Sequence, residues 1–479
     1  MSTRLRPLLA SAGPIFAGTA ERALEPGDDG PEITGVTHDS RRVGAGTLFC
    51  CLRGATSDGH RHAGDAVRSG AVALLCERPV GADVPQVRVA DARRAMAPLA
   101  AAFHGHPSHA MRVVGVTGTN GKTTTVRLVQ QIVESHGANA ATIGTLTGAR
   151  TTPEATELQQ QLAEHRENGV DTVAMEVSSH ALVQHRVDAT RFAAVAFTNL
   201  SRDHLDFHGT MEAYFAAKAS LFTRVFAPVA VIDTDTPYGR LLASTTDVPT
   251  VVRTGLSTVD IVSLGADATR YRWRGHDVLL PLPGRFNVAN ALVASELALV
   301  LGVPEAAVVS ALSSAPPVPG RFQRVPLDAP FTVVVDYAHT PDGLENVLSA
   351  ARELAGGARV LVAFGCGGDR DATKRPFMGR AAREGADVVV VTSDNPRSEN
   401  PSRIVEEVVG GMAQQPDAVE LDRRAAIRLV LAAARPGDIV VLAGKGHETT
   451  QIIGTRVLPF DDVLVAVEEA EALGREAQG

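Results

Sequence analysis

A lysine and a threonine at the end of a glycine-rich loop can grip a phosphate chain, and that combination stands at residues 118–124, Gly-Thr-Asn-Gly-Lys-Thr-Thr. Glycines let successive backbone N–H groups turn toward one point, and a helix start adds its positive dipole end. Lys122 can then reach the outer phosphates while Thr123 offers a hydroxyl to Mg²⁺. The chemistry indicated is the holding of a nucleoside triphosphate by Gly118, Thr119, Asn120, Gly121, Lys122, Thr123 and Thr124. The spacing departs from the longer phosphate-loop pattern, because the position five residues before Gly121 is Val116, flanked by Gly115 and Gly118. A glycine-rich turn that binds nothing is the plain alternative, and Lys-Thr-Thr at the helix start argues against it.

Further reactive side chains lie downstream. Glu176 ends the apolar stretch 171–177. A carboxylate at the carboxyl end of a parallel strand lies at the rim where open α/β sheets bind ligands, and there it would face a Mg²⁺ held by Thr123. Residues 198–209 alternate histidine and aspartate, as a solvated loop also would. Lys218 lies amid alanines and large apolar side chains at 214–222, where a lysine must snorkel outward or change its chemistry. Asn287 reads as a helix N-cap, whereas Asn290, one turn further, is a poor helix choice without another task. Thr151-Thr152-Pro153-Glu154 reads as a helix start with a hydroxyl cap, proline in the first turn and an acid near the positive end. Taken singly, Asp39-Ser40-Arg41, Ser179, Gln184 and Arg186 read as polar turns, as do the clusters 394–397 and 444–448.

These groups need frames. Val113, Val114 and Val116 ahead of Gly118, with a helical pattern through Val126, Leu128, Val129 and Ile132 behind it, make strand, loop and helix. Residues 194–197 form another buried strand, and 214–222 a helix carrying Lys218. Residues 228–283, with the lone Trp273, alternate short strands and turns and propose no chemistry. A helix from Gly284 to Leu301 comes next. Upstream, the strand-like 46–52, a helix near 63–69 and a buried strand at 71–76 make a small α/β unit, joined by 92–108 to the second domain. Pro316-Pro317-Val318-Pro319-Gly320 is a second linker. Beyond Phe331, strands near 332–336, 359–364, 386–392 and 438–443 alternate with helices as a second nucleotide-fold sheet. Gly365-Cys366-Gly367-Gly368-Asp369-Arg370 lacks the last glycine spacing of a dinucleotide fingerprint, so a dehydrogenase fits weakly. The expected architecture is α/β in three domains. Residues 1–108 form a small α/β N-terminal domain, 109–318 a central P-loop-type mononucleotide-binding domain, and 319–479 a C-terminal Rossmann-like domain.

In order and approximate spacing, Gly118 to Thr124, Glu176 to His180, Asn199 to His204 and Lys218 resemble the Mur ligase family, and the likeness covers essentially the whole chain. The resemblance implies an ATP-dependent ligase of peptidoglycan synthesis that moves the γ-phosphate to a substrate carboxylate. An amine then attacks the acyl phosphate. It implies catalytic roles for Lys122, Glu176, His204, Lys218 and Arg321, with Arg321 reaching the γ-phosphate from the third domain. Asn287 and Asn290 then join the ATP site, Asn290 on the adenine, and Asp336 takes the ribose. Lys218 is carbamylated by CO₂ in this family, which turns an ammonium into an anionic oxygen ligand for a second Mg²⁺ shared with Glu176 and His204. Free lysine titrates near about 10.4, so a carbamate needs a site that favours the neutral amine.

For UDP-N-acetylmuramoyl-L-alanyl-D-glutamate the resemblance implies Ser40 at the uridine-diphosphate end and Thr151, Thr152, Ser179, Gln184 and Arg186 along the muramoyl-dipeptide. Asp394-Asn395-Pro396-Arg397 is the form that accompanies meso-diaminopimelate, whose distal carboxylate lysine lacks. Arg397 and Arg370 would clamp that carboxylate, and Glu448 with the Gly444 carbonyl would take the distal ammonium. One departure is that Phe460-Asp461-Asp462-Val463 lacks the arginine often found after the paired acids. The alternatives are the same chemistry with L-lysine or another amine, or a nucleotide-binding scaffold without catalysis, which intact Lys122, Glu176, His204 and Lys218 argue against.

Composition sets outer limits. A chain of 479 residues, 44% hydrophobic and 21% charged, is ordinary for soluble globular protein of about three domains. A net charge of −8 argues against non-specific nucleic-acid or membrane binding, so anionic ligands must be met by local clusters. No run approaches roughly 18 uninterrupted apolar residues, and no signal-peptide pattern opens the sequence. Cys50, Cys51, Cys76 and Cys366 contain no Cys-x-x-Cys pair, which suits buried thiols in a reducing compartment. A cytoplasmic monomer with no nucleic-acid or membrane partner is expected.

Overall fold

Stretches of valine, alanine and leucine alternate with helices along most of the chain, and three parallel sheets result. The computed structural model describes residues 2–54, 57–265 and 267–476. Arg112–Thr117 lies inside a six-stranded parallel sheet of order Thr250–Thr254, Val229–Asp233, Ala194–Phe197, Arg112–Thr117, Thr172–Glu176, Ala140–Ile143. Its strands are apolar on both sides because both faces are covered. Val114, Val116, Ala194 and Ala196 pack with the helices Lys122–Ser135 and Arg285–Val300, whereas Val113, Val195 and Phe197 pack with Leu158, Tyr214 and Leu242 on the opposite face. The register sets Glu176 beside Val116 and Thr117 beside Phe197, so both neighbours of the phosphate-loop strand end where the loop begins.

The N-terminal sheet has four parallel strands, Gly35–Thr37, Thr47–Cys50, Ala71–Cys76 and Gln86–Arg88. All four cysteines are buried and free. The C-terminal sheet runs Gln323–Arg324, Thr332–Asp336, Ile439–Ala443, Val360–Phe364, Val388–Val391, Ala418–Val419, parallel except for its first strand. Its register aligns Asp336, Ala443, Phe364 and Val391 along one rim. Among the described residues no helix is long and apolar enough to cross a membrane.

Three local expectations are corrected. Residues 228–283 contain the helix Pro237–Thr245, started by the Thr236 hydroxyl and by proline in the first turn. The helix carrying Lys218 is Met211–Ala219, capped by Thr210, so Leu221 and Phe222 are buried beyond its end. The helix after Thr151-Thr152 is Ala155–Glu167, capped by Glu154 in a reciprocal box with Glu157. Thr152 is not free to cap it, because its hydroxyl donates to the Glu176 carbonyl (2.9 Å) and accepts from the Ser178 N–H (3.0 Å). Trp273 is a core residue whose indole donates to Glu296 at 3.3 Å.

Candidate active site

The loop after Thr117 turns on two glycines. Gly118 (φ 153°) and Gly121 (φ 86°) hold conformations that side chains resist, and a Cβ would strike the Thr198 hydroxyl at one and the Asn290 amide at the other. Lys122 Nζ donates to the Gly118 and Thr119 carbonyls, both at 2.8 Å. Thr123 Oγ1 donates to Glu176 Oε1 and accepts from Arg321, each at 3.0 Å. Enclosure lowers the pKa of Lys122, with Glu176 opposing and Arg321 adding to the shift. Asn199 and Thr198 anchor the loop from the next strand end through Asn120 N (2.9 Å) and Asn120 O (2.6 Å).

These groups open onto a cleft of about 720 Å³ between the carboxyl ends of the central and C-terminal sheets. Its wall includes Thr119, Asn120, Gly121, Lys122, Thr123, Thr124, Thr151, Thr152, Glu176, Arg186, His204, Asn290, Arg321 and Asp336. Arg370, Asp394, Asn395, Arg397, Gly444 and Glu448 line it from the C-terminal sheet. Ser40, Gly118, Ser179, Gln184, Lys218, Asn287 and Pro396 lie off that wall. Ser179 holds His208 Nε2 at 2.9 Å, Gln184 accepts from Arg186 at 2.5 Å, and Asn287 donates to the Pro283 carbonyl at 2.8 Å inside its helix rather than capping it. Ser40 heads a turn whose Arg42 enters a separate groove of about 330 Å³ beside Arg150 and Glu157.

Glu176 is buried and also accepts from Thr145 N at 2.8 Å. Lys218 is 1% exposed, donates to the Gly118 carbonyl at 2.8 Å and lies 4.8 Å from the centre of the Tyr214 ring. Burial, with Lys122 second, drives its pKa far below a free lysine's, so the neutral amine is favoured. His204, in a left-handed conformation (φ 55°), faces Asp203 at 3.3 Å. Its enclosure pushes the imidazole down to about 3 despite that aspartate, leaving it neutral with a lone pair to offer.

The C-terminal sheet meets this loop through specific contacts. Arg321 stacks 4.6 Å above Tyr337 while holding Thr123, and Asn120 donates to Asp342 at 2.9 Å. Asp203, almost wholly buried, pairs with Lys374 at 3.3 Å and lies 3.6 Å from His339. Burial alone would raise its pKa, but the His339 hydrogen bond and the Lys374 charge hold it well below the usual carboxylate value. Asp336 spends both oxygens on backbone donors, Phe322 N (2.6 Å) and Ala338 N (2.7 Å).

At the far end, Arg397 (φ 52°) donates to the Gly368 carbonyl at 2.7 Å, and Arg370 is exposed. Asp394 is buried with one oxygen unpartnered, and burial raises its pKa against the pull of Arg423. Asn395 donates to Glu448 Oε2 at 2.7 Å. Sequence reasoning did not single out Asp203, Lys374, Arg423 or Lys445. Asp203 and Lys445 lie within the quoted polar clusters, but Lys374 and Arg423 carry no local signal, since their partners are 171 and 39 residues away.

Comparison with known proteins identifies the family and the fold. Profiles described as "Mur ligase family, catalytic domain", "Mur ligase middle domain" and "Mur ligase, glutamate ligase domain" match residues 32–104, 116–298 and 320–446. The chain is 44% identical over 462 residues to the UDP-N-acetylmuramoyl-L-alanyl-D-glutamate--2,6-diaminopimelate ligase of Geobacillus kaustophilus (strain HTA426), covering 91% of this chain and 94% of that one. It is also 44% identical over 468 residues to the enzyme of the same name from Syntrophomonas wolfei, covering 92% and 96%. A solved structure of a ligase of that name superposes with a TM-score of 0.66 at 33% identity, covering 96% of this chain and 99% of the other. MurF from Acinetobacter baumannii shares the fold alone, with a TM-score of 0.67 at 21% identity over 92% of this chain and 95% of that one. By sequence over nearly its full length, and by a three-domain fold that closes a phosphate loop under a second nucleotide-type sheet, this chain belongs to the Mur ligase family.

Proposed function

We propose that this chain joins meso-diaminopimelate to UDP-N-acetylmuramoyl-L-alanyl-D-glutamate at the expense of ATP, in the cytoplasm. The observation that carries the reading is that one cleft is lined by the phosphate loop on one side and by Arg370, Arg397, Asp394 and Glu448 of the C-terminal sheet on the other. Lys122 and Arg321 neutralise the γ-phosphate as it moves to the glutamate carboxylate. Thr151, Thr152 and Arg186 line the path from the N-terminal side, where the muramoyl-dipeptide lies. The amine of the amino acid adds to the acyl carbon, the C–O bond to phosphate breaks, and a proton is lost. Arg397 and Arg370 hold the distal carboxylate while Glu448 and the Gly444 carbonyl hold the distal ammonium. The protein's contribution is positioning and charge stabilisation.

The residues present fit Mg²⁺ and a lysine carbamate. Lys218 is a buried amine whose hydrogen-bond partner is the Gly118 carbonyl, with no carboxylate paired to it among the described residues, Glu176 is a buried carboxylate beside the Thr123 hydroxyl, and His204 is held toward its neutral form. Thr123, Glu176, His204 and the Lys218 carbamate would hold the metal. Mg²⁺ supplies positive charge to the phosphate oxygens when bound. Phosphate release that requires ATP, the UDP-linked dipeptide and diaminopimelate together tests the reading. Release with the dipeptide and no amino acid, or equal release with L-lysine, would count against it.

A further inference from the structure

Lys445 is entirely buried, yet it sits one residue after the cleft-lining Gly444 and three before Glu448. A buried ammonium must be matched by acceptors, because leaving it unpaired is costly. Its three acceptors are the Thr450 carbonyl at 2.6 Å, Asn395 Oδ1 at 3.3 Å and Glu448 Oε2 at 3.3 Å. Asn395 closes the triangle, with its amide donating to the same Glu448 oxygen at 2.7 Å and its own oxygen accepting from Ile452 N at 2.9 Å. One Glu448 oxygen is therefore doubly occupied, and its mate has no hydrogen-bond partner among the described residues while the side chain stays 30% exposed at the cleft.

We infer that Lys445 is a specificity-positioning residue, which fixes Glu448 so that one carboxylate oxygen faces the distal ammonium of the amino-acid substrate. Lys445 itself touches no substrate. The inference rests on the proposed reaction. Without the lysine, Glu448 loses its charged donor and is held by the Asn395 amide alone, so it can swing toward water.

The experiment compares meso-diaminopimelate with 2-aminopimelate, which keeps the distal carboxylate and lacks the distal ammonium. In Lys445→Met, kcat/KM for diaminopimelate should fall at least about tenfold relative to that for 2-aminopimelate, as expected when a charged hydrogen bond orienting the carboxylate is lost. The KM for ATP should stay unchanged. Lys445→Gln, whose amide can still donate to the Thr450 carbonyl, serves if the methionine variant does not fold, and should show the same change in ratio. Lys445→Arg, which keeps a cation, should restore part of it. A ratio unchanged in both neutral variants, or a rise in preference for diaminopimelate, would overturn the inference. Failure of the wild type to use diaminopimelate at all would instead overturn the proposed function.

Discussion

Replacing Arg397 by alanine separates the two ends of the amino-acid site. The change leaves the backbone alone. Alanine keeps the Cβ in the same left-handed conformation, and the main-chain bonds from Arg397 N to Ile452 O (3.0 Å) and from Gly454 N to Arg397 O (2.7 Å) do not involve the side chain. What is lost is a guanidinium aimed by the Gly368 carbonyl at 2.7 Å. Breaking a buried charge pair costs about 2–5 kcal/mol, and because Arg397 is only half-buried the lower part of that range, about 2–3 kcal/mol, applies. That predicts a fall of about 30- to 150-fold in kcat/KM for meso-diaminopimelate. L-Lysine has no distal carboxylate, so its kcat/KM should barely move. The exposed Arg370, screened by water, should matter less, at about 0–1 kcal/mol when changed to alanine. Initial rates of phosphate release with both amino acids provide the assay. Equal losses for lysine and diaminopimelate, or a larger loss from Arg370 than from Arg397, would refute the reasoning.

Lys218→Ala should lose most activity and recover part of it with short carboxylic acids, and intact mass under CO₂ should show the carbamate on wild type; an active enzyme with an unmodified amine contradicts this. Lys374→Ala leaves Asp203 buried without its ammonium. It should weaken closure of the C-terminal domain, read as a larger radius of gyration by solution scattering with a non-hydrolysable ATP analogue and a raised KM for ATP; unchanged values would show that the Asp203–Lys374 pair does not hold the two sheets together. Burial raises the Asp233 carboxyl to about 6 from an unfolded value of 3.8. The folded state then binds more protons between those values, so stability falls as pH rises through them and stays lower at neutral pH. Asp233→Asn, whose oxygen can still accept from Asp235 N, should raise neutral-pH stability by about 1–3 kcal/mol and remove that slope in urea melts; a slope that persists places the titration elsewhere.

The strands were legible because each is a short apolar run closed by a chemically marked turn. Ala71–Cys76 and Ala194–Phe197 fall where the sequence places them. The phosphate loop was legible for the same reason, since its glycines and Lys-Thr-Thr are contiguous. The helix Pro237–Thr245 was missed because its buried face is only Gly239, Leu242 and Ala243, too few apolar side chains for a helical period to show, although Thr-Pro at its start was a usable signal. The Ala155–Glu167 cap was misplaced because two threonines compete with a glutamate for the role, and a tertiary bond from Thr152 to the Glu176 carbonyl decides it. Pairings such as Asp203 with Lys374, or Arg423 with Asp462, depend on how separate sheets and helices dock, which no local pattern encodes. Asp462 shows the difference most clearly. In sequence it stood out for lacking a following arginine, whereas in the structure it forms a buried bidentate pair with Arg423, which also ties Ser393 and Ala443 at the strand ends leading into Asp394 and Gly444.

The central claim is that one cleft activates a glutamate carboxylate with ATP and selects a diamino acid by its distal carboxylate. Its most direct test is the intact mass of the product formed from ATP, Mg²⁺ and UDP-N-acetylmuramoyl-L-alanyl-D-glutamate with equimolar meso-diaminopimelate and L-lysine. The account predicts a diaminopimelate adduct in excess of the lysine adduct by about 100-fold or more, as for a site built around a polar group that the competitor lacks. A comparable yield of the lysine adduct, or ATP consumption with no adduct of either, would contradict it.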